Sequence, residues 1–173
     1  EEAERFGELD KDMGGAGFEW ATTTEARNKL WAMRHKAYWS CRAQRPGAMG
    51  VVTDICVPIS RLAEAVAETR ADIAAAGLLG PILGHVGDGN FHAMLFVQKG
   101  AEAEIAAAKE ITQRLAERAH RMNGTMTGEH GVGVGKRDLM AAEHGEAWQV
   151  MGAIKAALDP DGILNPGKLV PGN

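Results

Sequence analysis

Hydrophobic positions recur along the chain with two spacings, and the switches between them lay out the elements. F18-E-W-A-T-T alternates large and polar residues, the two-residue period of a strand. Residues 1–17 ahead of it are charged and then glycine-rich, and read as a frayed lead-in. Thr22 stands three residues before Glu25, the spacing of a capping box, and opens a predicted helix over 25–44 that Pro46-Gly47 ends. The β-branched run G50-V-V-T-D-I-C-V-P, bounded by Gly and Pro, predicts a strand at 51–57. A helix over 60–76 follows, with Ser60 as its N-cap and Gly77 as its stop. Two apolar runs, P81-I-L-G-H-V-G and N90-F-H-A-M-L-F-V, flank Asp88-Gly89, which predicts a β-hairpin. An Ala-rich amphipathic helix at 101–122, a glycine-rich strand or loop at 124–135 and one or two helices over 136–158 complete the pattern. The order β-α-β-α-β-β-α, with antiparallel pairing in the middle, predicts an α+β fold: a ferredoxin-like sandwich of helices on an antiparallel sheet.

Composition narrows the function classes. The 173 residues carry 19 Lys+Arg against 23 Asp+Glu, a net charge of −4, and 45% are apolar. Such a chain can bury a core, so disorder is excluded, and the acidic balance argues against a nucleic-acid binder. No apolar run approaches the roughly 20 residues of a membrane span. Cys41 and Cys56 are too few for a disulfide framework and too far apart for a C-x-x-C site, which leaves two reduced thiols.

The hairpin carries the sharpest chemical signal. With Asp88 and Gly89 as a two-residue turn, His85 pairs directly with His92. Opposed side chains on one sheet face have Cβ atoms roughly 4.5–5.5 Å apart. Two imidazoles at that spacing reach one metal ion. The alternative is two separate, hydrogen-bonded strand histidines. T127-G-E-H-G-V-G adds a carboxylate and a further imidazole. Glu129 completes a set of two His and one carboxylate, which leaves open positions for a substrate and suits zinc, manganese or iron. In an extended segment neighbouring side chains point to opposite sides. His130 is then expected to face away from the metal and to be available as a base. Arg34 shares a predicted helix side with Trp31 and Tyr38 and offers a planar fork for a carboxylate; the alternative is a solvated helix arginine.

G84-H-V-G-D-G-N-F-H92, T127-G-E-H-G-V-G133 and L164-N-P-G-K168, in this order, resemble the C-terminal region of FAD-linked oxidases of the vanillyl-alcohol-oxidase type. L30-W-A-M-R-H35 and T53-D-I-C-V-P-I-S-R-L62 resemble, more narrowly, the branch that holds D-lactate dehydrogenase (cytochrome), glycolate oxidase and D-2-hydroxyglutarate dehydrogenase. The resemblance implies that His85, His92 and Glu129 hold a divalent metal, that His130 is the catalytic base and that Arg34 holds the substrate carboxylate. It also implies FAD, with Asn165 as a cofactor contact, and a cytochrome or quinone-linked electron acceptor. Where the hydroxyglutarate branch has a lysine, this chain has Val52, so a small monocarboxylate such as D-lactate fits better than a dicarboxylate.

The expectation is therefore a single C-terminal domain, 1–173, of a longer flavoenzyme whose N-terminal part binds FAD, with 159–173 an irregular tail against that flavin domain. The enzyme is expected to oxidise a D-2-hydroxy acid with hydride transfer to flavin, in the cytoplasm or at the inner membrane face, mitochondrial in a eukaryote. The rival reading is a non-catalytic, ferredoxin-like metal-binding or interaction module. A zinc hydrolase is weaker, because no H-E-x-x-H pattern is present.

Overall fold

The computed structural model describes residues 1–15 and 17–171, in two compact units that meet in sequence between Gln44 and Arg45. The first unit contains helices α1 (Glu2–Asp12) and α2 (Thr24–Ala43). The segment expected as a frayed lead-in is thus largely helical. Glu2 and Glu4 in its first turn and Lys11 in its last oppose the helix dipole, which favours the helix without a buried face. The strand expected at 18–23 does not form. Its large residues pack on one another instead, Phe18 tilted against Phe6 with ring centroids 4.9 Å apart and Trp20 stacked on Phe18 at 5.8 Å, so the alternation records ring packing rather than a ladder. Thr23, not Thr22, caps α2, its hydroxyl accepting the Ala26 N–H at 3.2 Å.

The second unit is an α+β sandwich. Its elements are β1 (Ala48–Val52), β2 (Ile55–Cys56), α3 (Ile59–Ala75), β3 (Ile82–His85), β4 (Asn90–Gln98), α4 (Glu102–Arg121), α5 (Met140–His144) and α6 (Glu146–Leu158). β4 is the central lane. β1 and β2 lie antiparallel along one of its edges in a single register, Val52 opposite Met94 and Ile55 opposite Phe91, so the strand expected at 51–57 is present but interrupted at Thr53-Asp54. β3 lies antiparallel on the other edge. Thr125 bridges Cys56 on the outer side, with Cys56 N–H to Thr125 C=O at 3.0 Å and the reverse bond at 2.8 Å. That bridge stands where the fourth lane of a β-α-β-β-α-β sheet belongs, which makes the sandwich ferredoxin-like as the sequence predicts.

Alternation along β4 separates two faces. Phe91, Ala93, Leu95 and Val97 pack with Leu62, Ala65 and Ile73 of α3 and Ala108, Ile111 and Leu115 of α4 in one core. Asn90 and His92 therefore stand on the opposite face. α3 begins at Ile59 behind Pro58, and no side chain caps it, so Ser60 is not its N-cap. Two helices do follow in the 136–158 region, parted at Gly145 where φ is +54°.

Candidate functional site

The hairpin holds its two histidines on one face, in a register different from the one expected. His85 pairs with Asn90 and Leu83 with His92, because the connection is a four-residue turn: Val86–Asp88 form a 3-10 turn and Gly89 closes it at φ +72°. A Cβ on Gly89 would lie 2.0 Å from the Val57 carbonyl oxygen, which is why the turn needs glycine there. The shift relative to a two-residue turn is an even number of positions. Face parity survives it, and His85 and His92 become diagonal neighbours with ring centroids 5.9 Å apart.

α4 ends at a left-handed Asn123 (φ +59°), and Gly124 then passes against the edge of β2, where a Cβ would meet the Cys56 carbonyl oxygen at 2.2 Å. This leads the glycine-rich segment from the sheet edge to the hairpin. Glu129 Oε1 lies 3.0 Å from His92 Nε2 and 3.3 Å from His85 Nε2. His130 does not point away as expected for an extended segment. Its ring stacks on His92 at 4.6 Å and 11°, and its Nε2 is 3.9 Å from the same Glu129 oxygen. The segment is bent rather than extended, because the N–H groups of Gly128 and His130 both donate to Asp54 Oδ2, at 2.8 and 2.9 Å.

The donor and acceptor roles at these contacts bear on what the cluster can hold. His92 Nδ1 is 3.3 Å from the Thr53 carbonyl oxygen, which can only accept, so the ring proton sits on Nδ1. With only that one proton on the ring, Nε2 presents a lone pair to a carboxylate oxygen. Acceptor facing acceptor is repulsive unless a cation or a second proton lies between them. Nitrogen and oxygen donors bound tetrahedrally about 2.0–2.1 Å from one zinc lie roughly 3.3–3.4 Å apart, close to the spacing found here. His85, His92 and Glu129 accordingly fit a divalent ion.

Three polar residues of the site escape sequence reasoning. Asp54 is buried directly across from His92, its Oδ1 3.5 Å from Nδ1. Burial alone would raise its pKa. The His130 N–H, the Asn90 amide, the Lys136 charge and the Gly128 N–H outweigh burial and hold it at about 2. Asn90 donates to Asp54 Oδ1 at 2.8 Å and to the Ile55 carbonyl at 2.9 Å. Lys136 donates to the carbonyls of Asp54 and Met126, both at 2.7 Å. Burial lowers its pKa against the opposing pull of Asp54. The one signal available for Asp54 is an acidic residue breaking a β-branched run.

Asn165 and Arg34 are not among the donors of this cluster. Asn165, left-handed at φ +48°, helps line an apolar cleft of ≈ 780 Å³ with Ile154, Leu158, Leu164 and Leu169 as walls. Lys155 and Lys168 also line it. Arg34 lies on α2 in the first unit, its guanidinium 5.6 Å from the centre of the Trp31 ring. Tyr38, expected on the same side, packs edge-on against Trp39 at 5.2 Å. Among the described residues no helix is long and apolar enough to cross a membrane.

Known proteins are similar to this chain in sequence. The family described as FAD linked oxidases, C-terminal domain, matches residues 1–169. A probable mitochondrial D-lactate dehydrogenase of Danio rerio is 47% identical over 164 residues, 94% of this chain and 33% of that protein. The mitochondrial D-lactate dehydrogenase [cytochrome] of Arabidopsis thaliana is 42% identical over 158 residues, 91% of this chain and 28% of that protein. The glycolate oxidase subunit GlcD of Escherichia coli K12 is 29% identical over 180 residues, 99% of this chain and 34% of that protein. The chain spans about a third of the length of these relatives. With the match running through both units, the chain belongs to the family of FAD linked oxidases, C-terminal domain.

Proposed function

We propose that the chain is the substrate-side portion of an FAD-dependent D-2-hydroxy-acid dehydrogenase, with D-lactate oxidised to pyruvate as the best-fitting reaction. The observation that carries this reading is the set of His85, His92 and Glu129 around one carboxylate oxygen, with the His130 ring stacked beside it. The relatives named as D-lactate dehydrogenases support the substrate class.

In this reading His85, His92 and Glu129 would hold the divalent ion, zinc, manganese or iron. When bound, the ion supplies Lewis acidity toward the substrate hydroxyl and FAD supplies the hydride acceptor. His130 takes the hydroxyl proton on Nε2, and its stacking on His92 keeps the ring in place for that transfer. Arg34 binds the substrate carboxylate through two parallel N–H bonds. Asn165 and the apolar cleft are the flavin contacts of this chain. Electrons pass on to a cytochrome or quinone-linked acceptor, in the cytoplasm or peripherally at the inner membrane face, and in mitochondria if the source is a eukaryote.

Elemental analysis of the full-length enzyme tests the reading. His85→Ala, His92→Ala and Glu129→Gln each lose the ion and the activity, while Arg34→Lys keeps ion and flavin and raises KM for D-lactate about tenfold or more, the worth of a charge-assisted hydrogen bond. Unchanged metal stoichiometry in both histidine variants removes the site from the hairpin. A wild-type KM in Arg34→Lys returns that side chain to a solvated helix arginine.

A further inference from the structure

Two sets of donors could hold an ion here, and they share His92: one is His85, His92 and Glu129, the other Asp54, His92 and His130. The hydrogen bonds of Asp54 separate them. Its Oδ1 accepts the Asn90 amide at 2.8 Å. Its Oδ2 accepts the Gly128 N–H at 2.8 Å, the His130 N–H at 2.9 Å and the Thr127 hydroxyl at 3.3 Å, with Lys136 Nζ 3.7 Å away. Three of these donors crowd Oδ2, while Oδ1 accepts from Asn90 and stands on the Nδ1 side of His92, not on the Nε2 that Glu129 faces. An ion on Oδ2 would displace bonds that shape the loop, and one shared between Oδ1 and His92 Nδ1 would displace the contact of Nδ1 with the Thr53 carbonyl.

We infer that Asp54 is the positioning residue of this site, staying off the ion and fixing from one buried carboxylate both the loop that presents Glu129 and His130 and the ring of His92. The two N–H groups that flank Glu129 converge on one oxygen, so both peptides turn toward Asp54 and the Glu129 side chain is left to reach His92 and His85. The approach is close enough to need glycine: a Cβ on Gly128 would fall 1.9 Å from Asn90 Nδ2 and 2.7 Å from Asp54 Oδ1. On the other side Asp54 Oδ1 stands 3.5 Å from His92 Nδ1, beside the carbonyl that sets its tautomer. The inference rests on the donor-set reading above for the word ion, and on hydrogen bonds alone for the loop.

The test uses the whole 173-residue chain, with Co²⁺ as the probe. Asp54→Asn keeps the size of the side chain but replaces one acceptor oxygen with a donor. Amide exchange followed by NMR should quicken about tenfold or more at Gly128 and His130, with the amides of β4 unchanged. Co²⁺ affinity, read from its d–d absorption, should fall about 10–100-fold, as outer partners of metal ligands do, and His92→Ala should lose binding altogether. Ile111→Ala, a core change on α4 away from the loop, should keep its Co²⁺ affinity. Should Asp54→Asn not fold, Thr127→Val removes one donor to the same oxygen and should weaken Co²⁺ about twofold to tenfold. Unchanged exchange at Gly128 and His130, or an Ile111→Ala loss as large as that of Asp54→Asn, overturns the inference. A wild-type chain that takes up no Co²⁺, while Asp54→Asn still frees those two amides, upholds Asp54 as the loop's anchor and strikes the donor-set reading instead.

Discussion

β4 and the segment from Thr127 to Gly135 each contribute to the same cluster, and they hold their side chains by different means. His92 sits on a strand with neighbours on both edges, between Phe91 and Ala93 of the core, and little of its side chain is exposed. Register and apolar packing place it. Glu129 and His130 are about half exposed, in a segment whose glycines 131 and 133 adopt φ of +77° and +52°. No core holds those two side chains. Backbone N–H bonds to Asp54 hold their segment, so one half of the cluster is fixed by the hydrophobic effect and the other by directional contacts that water and acid can contest. The strand half should therefore govern stability and the loop half should govern chemistry.

The widest separation between the halves is expected in the reaction itself. In the full-length enzyme His130→Ala should keep metal and FAD, leave thermal stability near wild type, and slow flavin reduction by D-lactate about 10²–10⁴-fold, the usual worth of a positioned base. Stopped-flow bleaching of the flavin decides it. Reduction at the wild-type rate would place the base elsewhere and remove the chemical side of the comparison.

Stability should show the reverse order. Leu95 is fully buried on β4, and Leu95→Ala should cost about 2–5 kcal/mol. Val134, exposed in the loop, should stay within about 0.5 kcal/mol of wild type as alanine. Urea unfolding of the 173-residue chain measures both. Equal losses would mean that the loop is packed like the sheet.

The same division explains what the sequence made legible. Period-two alternation is a local signal, and it located β4 and the shared face of His85 and His92 even though the turn has four residues rather than two. The turn misled because Asp88-Gly89 is a hairpin signal, yet Asp88 ends a 3-10 turn and only Gly89 takes the left-handed conformation. Motif spacing brought Glu129 into the cluster, but the orientation of His130 depends on a hydrogen bond to a residue 76 positions earlier. No local pattern reports that bond. Asp54, Asn90 and Lys136 were passed over for the same reason: each acts through a partner distant in sequence. The packing of Phe18 on Phe6 and Trp20 likewise imitates strand alternation without any ladder.

Acid should loosen the two halves at different pH, and Asp54 sets the difference. Its carboxyl titrates at about 2 in the fold, against an ordinary value of 3.8, because the N–H donors and Lys136 outweigh burial. A depressed carboxyl contributes stability that is fully present above the ordinary value and disappears as pH falls through the folded one. The window is therefore pH 4 to 2, and the contribution is on the order of 2 kcal/mol. Asp72, held low by Arg118 and Arg114 against its burial, belongs to the helix layer and loses its share in any variant that retains it. Comparing wild type with Asp54→Asn isolates the loop. The variant should be less stable at pH 6, and its stability should decline less steeply from pH 4 to 2, so that the two proteins converge near pH 2. Over the same range the amides of Gly128 and His130 should lose protection in the wild type before those of β4. Parallel stability curves, with a constant gap down to pH 2, would show that the Asp54 carboxylate does not hold the loop through its charge.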